Sequence, residues 1–176
     1  MQDIIEKLKG GDRRSIGRSE EVVLEVLKNL ELFDALIQGI LNDDPVVRMR
    51  AADAVEKVTI DKHFLLQPYK DLILDEISKI RQKEVRWHVA QLLPRLKLIN
   101  DEDEKAVAIL KEYMSDESRI VRTFAMDSLA YFAERDPTLE TWVITLIEEL
   151  VEDGSPALKS RGEKLLIKLK GVGKKD

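Results

Sequence analysis

The sequence predicts an all-α fold assembled from about five helix pairs. Three observations carry that prediction. Helix formers (Ala, Leu, Glu, Lys, Arg) abound, while the 176 residues include only 8 glycines and 5 prolines. No stretch alternates apolar and polar residues as a half-buried strand does. One amphipathic pattern also returns along the chain, with its basic residue spaced 38, 36 and 37 residues apart.

The repeated pattern is clearest in "DDPVVRMRAADAVEKV" (43–58), "KEVRWHVAQLLPRL" (83–96), "DESRIVRTFAMDSLAYF" (116–132) and "GSPALKSRGEKLLIKL" (154–169). One column reads Val47, Val85, Val121, Leu158 and the next reads Arg48, Arg86, Arg122, Lys159. Three residues further on stand Ala51, Val89, Ala125 and Gly162. Val55, Leu93, Leu129 and Leu166 follow, then Val58, Leu96, Phe132 and Leu169. Apolar positions at spacings of about four, four and three describe the buried stripe of a helix. A fainter first copy, "RRSIGRSEEVVLEVL" (13–27), keeps Arg18, Val22, Val23 and Val26. The Trp87 and His88 columns vary freely between copies, which reads as surface.

A second amphipathic segment precedes each repeated helix: 3–10, 31–43, 69–80, 104–116 and 139–153. Asp44-Pro45 and Ser155-Pro156 read as an N-cap followed by proline in the first turn. Gln67-Pro68 and Asp136-Pro137 mark other junctions, and Gly10-Gly11 closes the first short helix. Pro94 has no N–H to bond Ala90, so it bends or ends the third repeated helix. The expected organisation is one domain over 1–170 and a basic tail over 171–176.

Composition narrows the function. Without cysteine there is no disulfide, thiolate nucleophile or Cys-based metal site. The start "MQDIIEKLKGG" is too polar for a signal peptide, and no apolar run reaches membrane-spanning length, so a cytoplasmic chain with no membrane partner is expected. Net charge is −5, which weighs against general nucleic-acid binding.

A two-helix unit of this length, with a Val-Arg pair opening the second helix and small residues behind it, resembles the HEAT repeat. "DDPVVRMRAADAV" carries the likeness most fully. The resemblance implies a right-handed α-α superhelix whose second helices line the concave face. It also implies that Arg48, Arg86, Arg122 and Lys159 form a structural ladder with acids of the preceding turn. Asp116 and Asp153 lie six residues before Arg122 and Lys159, and Asn42 lies six before Arg48, but Ile80 holds that place in the third copy.

Charge is segregated by helix. Residues 138–153 carry five acids and no base, whereas residues 155–170 carry Lys159, Arg161, Lys164, Lys168 and Lys170 against Glu163. If the second helices line a groove, it leans positive and focuses potential on an anionic partner. The polar stripe of those helices passes through Arg50, His88, Gln91, Arg95, Phe124, Asp127, Tyr131, Arg161 and Lys164, with Trp87 beside it. Aromatic and arginine side chains are frequent interface anchors. The expected function is non-enzymatic binding of a protein or acidic peptide, with no cofactor, by a chain that is monomeric by default.

A nucleic-acid partner is the alternative. Alkylpurine DNA glycosylases of HEAT-like architecture are similar, with Trp87 as the corresponding aromatic and Asp127 as the nearby carboxylate. Gln91 stands one turn after Trp87 in place of a carboxylate. Bilin-attaching HEAT-type lyases share only the repeat style. His63 and His88 form no HExxH and no His-Glu dyad, unlike the iron sites of deoxyhypusine hydroxylases. "GVGKKD" (171–176) lacks P-loop spacing.

Overall fold

The computed structural model describes residues 2–11, 15–99, 101–154 and 156–172. Among these residues every regular element is helical. No described helix is long and apolar enough to cross a membrane. Residues 1–98 and 99–176 form two compact units.

The first unit holds α1 (Gln2–Leu8), α2 (Ser19–Lys28), α3 (Phe33–Gly39), α4 (Pro45–Thr59), α5 (Lys70–Asp75) and α6 (Lys83–Leu92). Helix α4 is its centre and packs on α1, α2, α3 and α6. The apolar columns explain why: Val47, Ala51, Val55 and Val58 are buried, as are Val85, Val89, Leu93 and Leu96. Each fully buried branched side chain contributes about 1.5–3 kcal/mol over an exposed one. The small-residue column sets how closely the pairs approach. A Cβ on Gly39 would lie 3.0 Å from the Ala51 methyl, so a larger residue at position 51 would force α3 and α4 apart.

Capping follows the sequence. Asp44 Oδ1 accepts from the Val46 amide at 2.8 Å, with Pro45 in the first turn of α4. Gly10 and Gly11 have φ of 79° and 72°, open to glycine at little cost. Helix α6 stops at Leu92 and continues as a 3-10 turn, Leu93–Arg95, that contains Pro94. The segment 69–80 differs from the continuous helix expected. A 3-10 stretch His63–Tyr69 leads into it, and the segment itself is divided between α5 and a 3-10 turn Ile77–Lys79. Pro68 removes one amide donor. The Ser78 hydroxyl donates to Leu74 O at 2.8 Å, so the side chain competes for a helical acceptor.

The second unit holds α7 (Asp101–Met114), α8 (Arg119–Ala133), α9 (Pro137–Asp153) and α10 (Pro156–Val172). Helix α8 packs on α7, α9 and α10, and α9 packs on α10. Val121, Ala125, Leu129 and Phe132 are buried, as is Leu169, while Leu158 and Leu166 are half-buried. Gly162 permits the close α9–α10 approach, since a Cβ there would fall 2.5 Å from Val151 Cγ2. Asp136 accepts from the Thr138 amide at 2.9 Å and caps α9. The Ser155 cap, the Asp153 side chain and the tail from 173 lie outside the described residues.

Candidate functional site

The candidate residues fall into two groups, one in each unit. In the first unit Arg50 departs from the exposed placement its column suggested, being 2% exposed. Its Nη1 donates to Leu8 O at 2.8 Å, Lys9 O at 3.2 Å and Gly10 O at 2.7 Å, and its Nε to Ser15 O at 3.1 Å. The Leu8 carbonyl at the end of α1 has no intrahelical donor, and Arg50 supplies it together with the carbonyls of the turn that follows. Gly17 closes over the guanidinium with φ of 55°, and a Cβ there would lie 2.6 Å from Arg50 Cζ.

His88 is likewise buried, at 8% exposed, and its Nδ1 has no hydrogen-bond partner among the described residues. Burial pulls its pKa down to about 4; Asp53 opposes the shift, and Lys57 and Arg95 add to it. The half-buried Trp87 ring lies 5.6 Å from the imidazole. Gln91 Nε2 donates to Trp87 O. Arg95 Nη1 donates to Glu56 O at 2.6 Å and Thr59 Oγ1 at 2.9 Å, and its Nη2 pairs with the Glu56 carboxylate. Sequence reasoning missed the polar seam beside this group. Ser19 Oγ donates to Asp53 at 2.6 Å, and Lys57 pairs with Asp53 at 3.0 Å and with Glu20. The available signal was helical spacing: Asp53 and Lys57 stand three and seven residues after Arg50, on the same face of α4.

The basic column has a consistent role, but its acceptors are main-chain oxygens. Arg48 Nη1 donates to Asn42 O at 2.9 Å, Arg86 Nε to Ile80 O at 3.3 Å and Lys159 Nζ to Glu152 O at 2.8 Å. Arg48 Nε also donates to Gln82 Oε1. A carbonyl needs no matching acid in the turn, which explains why Ile80 is acceptable at its place. Arg122 is the exception and lines a cavity instead.

In the second unit the structure brings Phe124, Asp127, Arg161 and Lys164 together. Arg161 Nε donates to Asp127 Oδ1 at 2.7 Å, and its Cζ lies 5.7 Å from the Phe124 ring centre, within cation–π range. Burial pushes the Asp127 carboxyl above its usual range, and Arg161 restrains that rise. An open groove of about 510 Å³ is lined by Asp127, Ser160, Arg161, Lys164 and Leu165. Further along α8, Tyr131 receives a hydrogen bond at 2.8 Å from Arg135 Nη1, whose Cζ sits 5.4 Å from the ring centre.

Among the described residues no three or more His, Cys, Asp or Glu side chains are grouped to hold a metal ion. No protein-family model, curated protein or solved structure matches this chain.

Proposed function

We propose that the chain is a non-enzymatic, HEAT-like helical-repeat module that binds an acidic segment of a protein partner against the α8–α10 groove. The carrying observation is Arg161 stacked near Phe124, beside exposed Lys164, on the wall of that open groove. A carboxylate of the partner would meet Arg161 and Lys164, and an adjacent apolar residue would meet Leu165 and the Phe124 ring. The repeat reading, with about five pairs in a right-handed superhelix, draws support from the recurring apolar columns. It also draws support from the three basic-column residues that donate to carbonyls of the preceding turn.

The test is fluorescence anisotropy with a labelled glutamate-rich peptide, alongside capture from lysate with and without nuclease at two salt concentrations. Lys164→Glu should abolish peptide binding, and Phe124→Ala should weaken it roughly tenfold. Binding that is untouched by both variants would refute the groove. Recovery of nucleic acid alone, lost steeply as salt rises, would favour the nucleic-acid alternative.

A further inference from the structure

Helix α8 opens with Arg119 and Arg122 in its first turn and no acid there. The helix dipole disfavours positive charge at that end. The first turns of α2, α6, α7 and α9 carry acids, whereas those of α4 and α10, like that of α8, carry a base and no acid. Arg122 also breaks the habit of its column. Arg48, Arg86 and Lys159 donate to turn carbonyls, whereas the Arg119 and Arg122 side chains have no hydrogen-bond or ion-pair partner among the described residues. Both line one cavity of about 380 Å³, together with Leu146, Glu149, Leu150 and Leu158. Arg122 thus differs from the other three members of its column in facing a cavity in place of a turn carbonyl, which points to a site.

We propose that this cavity binds an apolar carboxylate, meaning one carboxylate group on an aliphatic body. Two guanidinium groups on its wall can each give a charge-assisted bond to a carboxylate oxygen. Leu146, Leu150 and Leu158 offer the aliphatic body an apolar surface. Glu149 shares the wall and offsets one of the two guanidinium charges, so a single carboxylate is enough to neutralise the site, and the leucines favour a ligand with an aliphatic body over inorganic phosphate. The volume falls within the range of small-molecule sites, about 300–1,000 Å³. The site shares no lining residue with the α8–α10 groove and does not depend on the binding proposed there.

The experiment is an NMR titration of the isotope-labelled full chain with isocaproate, acetate and inorganic phosphate, following the arginine side-chain signals. Isocaproate should shift the Arg119 and Arg122 signals saturably, at concentrations roughly tenfold below those acetate or phosphate require. Arg122→Ala should weaken isocaproate binding roughly tenfold or more. Arg119→Ala removes an exposed side chain and should do the same without disturbing the fold, which keeps the test informative if the first variant unfolds. An absent or non-saturable response overturns the proposal. So does an equal response to phosphate, or isocaproate binding that persists in Arg119→Ala.

Discussion

Arg50 and Arg161 stand at the same position of the repeated helix, one in each unit, yet their environments are opposite. The Arg50 guanidinium is enclosed by the chain between α1 and α2 and satisfies four carbonyls. The Arg161 side chain is 50% exposed and pairs with a single carboxylate at the edge of a groove. A repeat therefore fixes which way a residue points but not what covers it. In the first unit the column became structural because a loop with glycines at 10, 11 and 17 could fold over it. In the second unit the same column leaves Arg161 half-exposed at the edge of the groove.

The largest effect is expected from Arg50→Ala. It removes charge-assisted hydrogen bonds and leaves the carbonyls of Leu8, Lys9, Gly10 and Ser15 without that donor. Such losses sum to about 3 kcal/mol or more. Urea denaturation of the full chain should show a clear drop in midpoint. A loss below about 1 kcal/mol would mean that the loop relaxes to let water serve those carbonyls, and that Arg50 is not the element holding it.

The sequence made the skeleton of this result readable. The columns beginning Val47, Ala51, Val55 and Val58 form the buried stripe, except at half-buried Leu158 and Leu166, and Asp44 and Pro94 act where capping and proline chemistry place them. Periodicity could do this because it reports the angular position of a side chain on its own helix. The burial of Arg50 was not readable, because it depends on a loop some forty residues earlier in the chain returning across α4. The break within 69–80 was hidden for a different reason. Ser78 competes for the Leu74 carbonyl through its side chain, and an apolar pattern carries no trace of that. The ladder residues were recognisable as a column, but their acceptors were not, since main-chain oxygens have no sequence signature. Of the candidate site, the pairing of Arg161 with Asp127 follows from two columns facing each other across adjacent helices. Burial of His88 followed the covered half of the same column.

A second prediction uses that buried histidine. The folded-state pKa of His88 is about 4, below the value near 6.5 of a free imidazole. Between those values the unfolded chain holds a proton that the folded chain lacks. Stability is therefore full above about pH 6.5 and falls as pH drops toward 4, by roughly 1–3 kcal/mol. His88→Leu removes the titration and, with the Nδ1 partnerless, breaks no bond at that atom. Its stability should match the parent at neutral pH and exceed it near pH 5. Parallel pH profiles for the two proteins would show that His88 reaches solvent and titrates normally.

The smallest effect should come from Arg161→Ala, the counterpart of the Arg50 variant. An ion pair this exposed contributes about 1 kcal/mol or less, so the denaturation midpoint should barely move. Asp127 should respond more than the fold does. Burial already holds its pKa above the usual range, with Arg161 restraining the rise. Without that restraint the pKa climbs further, and an NMR titration of the carboxyl group should register it. A carboxyl group whose folded pKa is raised opposes folding once pH exceeds its unfolded pKa, so the small deficit of the variant should grow from acid toward neutral pH. A small deficit means Arg161 can exchange Asp127 for the carboxylate of a partner at low cost, as the proposed groove requires. A deficit as large as that of Arg50→Ala would instead make Arg161 a second structural arginine and leave Lys164 as the only cation of the candidate set in the groove that is free to bind.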